Sequence, residues 1–398
     1  MANVKQLKHL EHLEDEMLNY GVEGCKAAVS FLKELRKMLG HQESSGFMQT
    51  KWDGAPSLIC GTDPMTGMFF VGTKSVFAKT APKICYGPED VDEFYDGDLA
   101  EKLKYALLYF ADLNIEGIVQ GDLLFTTSTL KQETIDGERL YTFRPNTITY
   151  GIPVNHDIGK KAGRAKIGVV FHTHYTGDDF QTMQARAGAD VEGSVDALVV
   201  KNDTPMHKVG FSKSEMTKFD RYVSKIERMC QICGPFLDEL VAAGGTKGDA
   251  KFHISSFLKQ FFNNEIKNAR TIANVDEAMY DMLNFYEEKT NKELSKIKTV
   301  ANLTAKRNLV YGSQNYVVDN VYKFKAMLAL YKELQAVKQM VIDKLDHLEE
   351  FRTYVQTDKG YKVTTPEGYV LHKDGSMIKF VNRLEFAYNN FTLQKQWR

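Results

Sequence analysis

The sequence predicts an α+β protein, antiparallel sheet carrying a mostly α-helical insertion, and three observations predict it. Between residues 47 and about 210, short apolar runs alternate with turn chemistry, which is the texture of sheet. From 213 to 355 apolar residues recur at helical spacing. Strand texture returns at 361–381 in three runs, too few to stand as a domain. Those late strands are therefore expected to complete the earlier sheet, with the helical block inserted. The expected division is N-terminal helices over 1–45, a first core part over 46–212, the insertion over 213–355 and closing strands over 356–398.

Each element has its own signal. Leu7, Leu10, Leu13, Met17 and Leu18 form one helical stripe, and Ala27, Val29, Phe31, Leu32, Leu35 and Leu39 form another, with Gly21 and Gly24 between them. A β-prone run at 47–52 ends in an Asp53-Gly54 turn. Runs at 57–61 and 68–71 flank Asp63-Pro64-Met65-Thr66-Gly67, a hairpin signature. Further strands are expected at 117–125, 140–143, 147–152, 167–172 and 197–200, interrupted by a helix at 99–110. In the helical block, Phe324, Met327, Leu328, Tyr331, Leu334 and Val341 trace a bundle-core stripe. The closing strands at 361–363, 369–371 and 377–381 are separated by Pro366 and a Lys373-Asp374-Gly375 turn.

Bulk properties narrow the function classes. A chain of 398 residues with 43% apolar and 26% charged residues buries a large core. No apolar run reaches membrane-spanning length, and the charged start (Lys5, Lys8, His9, Glu11) is unlike a signal peptide. Five scattered cysteines point to a reducing cytoplasm, that of a host cell if the protein is viral. Cys230 and Cys233 form a lone C-x-x-C in a helical pattern and read as structural. A net charge of −1 excludes a generally basic coat, so nucleic-acid binding would need local patches. A monomer is expected.

The candidate chemistry begins at Lys51-Trp52-Asp53-Gly54, a lysine at a strand end beside an acid and a tight turn. Alone it says little, since K-x-D-G arises by chance in about one chain in ten of this size. Four further segments change that. Asp122 ends a run in Gly121-Asp122-Leu123-Leu124-Phe125, and Phe171 ends Ile167-Gly168-Val169-Val170-Phe171. Glu367 precedes a strand in Pro366-Glu367-Gly368-Tyr369-Val370, and Lys379 lies in Ile378-Lys379-Phe380-Val381-Asn382-Arg383.

In this order the segments resemble the signature of the covalent nucleotidyltransferase superfamily of ATP- and NAD-dependent DNA ligases, RNA ligases and mRNA-capping enzymes. The resemblance covers about 47–173 and 361–383 and is nearest the phage RNA-ligase branch. The whole chain also resembles a family of large-phage proteins, through KWDGAP at 51–56, QGDLLF at 120–125, FRPNTITY at 143–150 and EGYV at 367–370. The resemblance implies a ligase-type adenylation domain using ATP and Mg²⁺. Lys51 would be the nucleophile, forming lysyl-AMP, and Lys379 would assist at the α-phosphate. Asp53 and Gly54 would shape the nucleotide site, with Asp53 at the sugar or orienting Lys51, and Lys74 would reach a phosphate. Asp122 and Glu367 would hold Mg²⁺, Phe171 would stack on adenine, and Arg383 would add a cation.

Three positions depart from the ligase pattern. Pro56 stands where an arginine is common, Asp122 where glutamate is usual, and Val381 where a second lysine is usual. Asp196–Lys201 rivals 367–371 as the Glu-Gly strand; 367 is preferred for its Glu-Gly pair and the motif after it. Arg144 and Asn146 could face a substrate strand, and His172 and His174 are expected on one strand face. Basic runs (Lys160, Lys161, Arg164, Lys166; Lys208, Lys213, Lys218, Arg221, Lys225, Arg228) fit phosphate tracking. The expected substrate is a polynucleotide end or nick, RNA before DNA. No separate OB-like barrel is evident in the fifteen residues after 383, which leaves the helical block as the expected clamp. The alternative is a nucleotidyltransferase-fold protein that binds nucleotide or nucleic acid, or modifies a protein, without ligating.

Overall fold

A computed structural model describes residues 10–346, 348, 351–358 and 360–385. Leu7 and the charged start at Lys5, Lys8 and His9 lie outside the described residues. The chain alternates helix and sheet: 48% of the described residues are helical and 22% strand. Among the described residues no helix is long and apolar enough to cross a membrane.

Leu10 and Leu13 do not belong to the first helix. A two-residue strand β1 (Glu11–His12) precedes helix α1 (Glu16–Leu39), which takes up Met17 and Leu18 of the first predicted stripe and all of the second, with a kink at Gly21 (φ 55°). The sheet region then delivers β2 (Phe47–Lys51), β3 (Ser57–Thr62) and β4 (Phe69–Gly72), the last two joined by the predicted 63–67 turn. Helices α2 (Pro88–Phe94) and α3 (Gly97–Phe110) lead to β5 (Ile118–Thr126). β6 (Lys131–Ile135), β7 (Glu138–Phe143), β8 (Thr149–Pro153), α4 (Asp157–Ala162), β9 (Ile167–Thr176), β10 (Gln184–Ala187) and β11 (Ala197–Val199) follow. The helical block is α5 (Lys213–Ala243), α6 (Leu258–Lys267), α7 (Val275–Leu294), α8 (Val300–Asp319) and α9 (Val321–Leu345). It ends ten residues earlier than its periodicity predicted. The closing strands are β12 (Arg352–Thr357), β13 (Gly360–Val363), β14 (Gly368–Lys373) and β15 (Ser376–Phe380).

Among the described residues three sheets form, with orders β1-β15-β14-β2, β10-β9-β5-β3-β4 (β11 also pairing β9) and β13-β12-β8-β7-β6. The closing strands join early ones: β14 pairs β2 and β12 pairs β8. Pairing is antiparallel except for β1–β15 and β11–β9. Residues 196–201 therefore sit beside β9, and it is 368–372 that lies along Lys51's strand.

Burial follows from these pairings. One face of the first sheet (Met48, Tyr369, Leu371, Ile378, Phe380) packs into a single core with α1, α5, α6, α7, α8 and α9. Cys25, Cys230 and Cys233 are buried there at the α1–α5 seam. The second sheet buries Leu58, Val119, Leu123, Val169 and Phe171 against α3. Trp52, Phe125, Phe143 and Tyr150 fill the seam between the second and third sheets. The opposite face of the first sheet is left to build a site.

Candidate active site

Register decides what that face carries. Lys51 lies opposite Gly368 across β2 and β14, and Lys379 opposite Val370 across β14 and β15. Opposed residues share a face, as do residues two apart on a strand. Lys51 and Lys379 therefore project from the same side, and the parallel strand β1 sets His12 beside Lys379. Gly368 is required at its place. Its φ is +144°, and a Cβ there would stand 2.4 Å from the Phe380 carbonyl oxygen. Immediately before it, Glu367 receives a hydrogen bond and ion pair from the Lys51 ammonium.

The motif after Lys51 is held from several sides. Trp52 leaves the strand for the core, packing on Tyr150 at 4.8 Å and edge-on to Phe351 at 4.7 Å. The Asp53 carboxylate is buried and accepts from Asn146 Nδ2 (2.8 Å) and from the backbone N–H groups of Thr147 (2.7 Å) and Ile148 (2.9 Å). Gly54 lets the chain lie against β5, since a Cβ there would come within 2.6 Å of Asp122 Cβ. The Ala55 amide donates to Leu123 O and the Leu123 amide to Pro56 O, each at 3.0 Å. These contacts bring Asp122 to the same cleft.

Electrostatics mark Glu367 as the unusual group. Burial pushes its carboxyl up to about 7; Asp53 and Asp122 push the same way, and Lys51 opposes them. Burial lowers the Lys379 ammonium, with Lys51 and Arg383 adding to the effect and Glu367 and Glu11 opposing it. On the facing sheet His172 Nε2 lies 3.6 Å from an Asp122 oxygen. His372, stacked on Phe47 at 4.6 Å, is pushed down to about 4 by burial and then by His172. Its Nε2 has no hydrogen-bond partner among the described residues.

Lys51, Gly54, Asp122, Glu367 and Lys379 thus come together from both ends of the chain. Three expected residues do other work. Phe171 is core, 1% exposed and edge-on to Phe110 at 5.6 Å, so adenine stacking is not open to it. Arg383 is buried and donates to Glu14 (3.2 Å), Asp15 (3.1 Å), Tyr331 (3.0 Å) and Asn263 (2.6 Å). The buried carboxylates of Glu14 and Asp15 claim its charge before a nucleotide could. Asp53 spends its carboxylate on the 146–148 loop, and Lys74 is an exposed residue of the single 3-10 turn after edge strand β4. Arg144 likewise binds Asn146 O and Gln356.

The two histidines also separate. The β5–β9 register shifts between Gln120 and Gly121: Thr173 opposes Gln120 and Phe171 opposes Gly121, leaving His172 as the extra residue of a bulge. His172 turns to Asp122 and bonds Thr173 Oγ1 at 2.8 Å, whereas His174 moves to the other face and meets Glu116 O at 3.0 Å. Sequence alternation cannot reveal a bulge. His372 was within reach of it, two pleats beyond Gly368.

For a divalent cation, the described residues contain no group of three or more His, Cys, Asp or Glu ligands. Asp122 and Glu367 are two carboxylates of one cleft, where burial raises the Glu367 proton affinity and Asp122 adds to it; such a donor set suits Mg²⁺ completed by phosphate and water.

No curated protein and no solved structure matches the chain. A family model described as "Family of unknown function (DUF6267)" matches residues 3–395, and the chain belongs to that family.

Proposed function

Because membership of that family carries no activity with it, we propose on the residues alone that the chain is an ATP-dependent covalent nucleotidyltransferase acting on polynucleotide ends. One observation carries the reading: strand pairing seats Glu367 on Lys51 and puts Lys379 on the same face, from 316 and more residues away in sequence. A lysine that must attack phosphorus needs fixed aim, a cation beside it and a route for its proton.

Glu367 fixes the aim. In the first step the Lys51 Nζ lone pair forms a bond to the α-phosphorus of ATP while the bond to pyrophosphate breaks. The ammonium proton departs along the Glu367 contact to solvent, which reaches Lys51 because its side chain is 28% exposed. Lys379 contributes positive charge to the phosphate. Mg²⁺ held by Asp122 and Glu367 would neutralise the leaving pyrophosphate. Transfer of AMP to a 5′-phosphate restores the Lys51 amine, and a 3′-hydroxyl then displaces AMP to join the strands. RNA is the preferred polynucleotide on the resemblance alone.

A second reading, nucleotide or nucleic-acid binding or protein modification without ligation, is favoured by the structural duties of Arg383, Asp53 and Phe171. The two separate in one experiment. Protein is incubated with α-labelled ATP and Mg²⁺, then chased with nicked and single-stranded RNA and DNA. Label on the wild type, its absence from Lys51→Ala and its discharge into joined strands support ligation. A labelled protein that joins nothing supports the second reading, and an unlabelled one removes the proposal.

A further inference from the structure

The longest helix, α5, has an unusual distribution of charge. Its exposed positions over 213–232 are filled by Lys213, Lys218, Arg221, Lys225 and Arg228, by hydroxyl and amide side chains, and by Ile232 at the far end; none is a carboxylate. The helix does contain acids there, but each is turned sideways and neutralised by a cation from another helix. Glu215 pairs with Lys344, Asp220 with Arg36 and Glu227 with Lys33. Of the five cations only Lys225 has an ion-pair partner among the described residues, Glu333. Lys218, Arg221, Lys225 and Arg228 follow i, i+3, i+7, i+10 spacing, a single stripe about 15 Å long at 1.5 Å per residue.

Such a face is self-repelling, and a chain of net charge −1 gains nothing in solubility from concentrating it. It is complementary to a polyanion, with hydroxyls at Ser214 and Ser224 interleaved as phosphate donors. Its place matters as well. The Asp203 segment bridges to Gln49 on β2, and Thr50 N donates to Asn202 O at 2.6 Å. This segment runs antiparallel to β2, and Thr204 N donates to Met48 O at 2.9 Å, so the chain leaves the Lys51 end of the strand, passes Leu39 at Phe211 and enters Ser212, the N-cap of α5. The stripe therefore begins beyond the Phe47 end of the strand that carries the proposed nucleophile at its other end.

We propose that the exposed face of α5 is a track for the phosphate backbone of the polynucleotide, laid from the Lys51 strand along the helical block. The proposal rests on the polynucleotide reading above and adds to it the surface that holds the substrate. Phosphate tracking is sequence-independent and salt-sensitive, with log affinity falling by about 0.7 per contact per log unit of salt for a single strand. Four contacts give a slope of about −3.

The test is fluorescence anisotropy of labelled RNA and DNA oligonucleotides, single-stranded and duplex, over a salt series. The wild-type protein is compared with Lys218→Gln/Arg221→Gln/Arg228→Gln and with a matched change at the end of α4 and just after it, Lys160→Gln/Lys161→Gln/Arg164→Gln. The α5 variant is expected to lose about two units of salt slope and at least about tenfold in affinity at low salt, while ATP labelling of Lys51 is unchanged. The α4 variant is expected to keep the wild-type slope. A wild-type protein that binds no oligonucleotide, an unchanged slope in the α5 variant, or loss of slope in the α4 variant overturns the proposal. Labelling of Lys51 reports separately, so failure of the track and failure of the nucleotidyl-transfer reading are distinguishable.

Discussion

Glu367 and His372 flank the cleft face of one strand, and their proton affinities move in opposite directions. The Glu367 carboxyl rises from an ordinary 4.5 to about 7, so the folded protein binds that proton more tightly and loses stability as pH climbs from 4.5 through 7. The His372 imidazole falls from 6.5 to about 4, so its contribution is lost as pH drops from 6.5 through 4. Between pH 5 and 7 each effect is about 2 kcal/mol, and in the wild type they nearly cancel. Urea titrations should show Glu367→Gln gaining stability from pH 5 to 7 and His372→Phe losing it. Parallel curves for both variants would mean that these two groups do not set the pH profile. Phe171 offers a second residue-scale check. Phe171→Leu should cost about 1–3 kcal/mol in stability while calorimetric ATP affinity stays within about twofold, because the ring faces α3 and not the cleft.

At the scale of elements, the β2–β14–β15 pairing is what makes a site from distant motifs. Gly368→Ala would drive a Cβ into the Phe380 carbonyl at a positive φ, costing about 2 kcal/mol or more. It should lower the melting temperature and ATP labelling together; loss of neither would mean that the strand pair tolerates a side chain there. Much of this was legible in the sequence. The alternation at 47–52, 117–125, 167–172 and 377–381 reads directly as strands, and three late strands had to borrow a sheet. The sequence did not show what depends on geometry between strands. The bulge at His172 separates two histidines that alternate in sequence. β6 and β10, rich in charged and polar residues, lack the apolar pattern that betrays a strand.

At the scale of the molecule, the helical block and the cleft sheet are joined by a buried polar cluster. Arg383 follows the last strand and is clamped to Glu14 and Asp15, ahead of α1, while Lys338 of α9 donates to Glu14 as well. Arg383→Met leaves two buried carboxylates short of a partner, at a cost of about 3–5 kcal/mol in urea unfolding. A change below about 1 kcal/mol would show that water reaches the cluster. The motif arginine was visible in sequence, but its burial was not, because the acids that claim it lie more than 360 residues earlier. The proposed chemistry depends on this closure, since only the returning C-terminal strands deliver Glu367 and Lys379 to Lys51. The most direct measurement is peptide mass mapping of protein incubated with ATP and Mg²⁺, alongside Lys51→Ala and Lys379→Ala. The account predicts AMP joined through an acid-labile bond to Lys51 in the wild type, none in Lys51→Ala and a sharply reduced amount in Lys379→Ala. An unmodified Lys51 peptide, or AMP retained after Lys51→Ala, would contradict it.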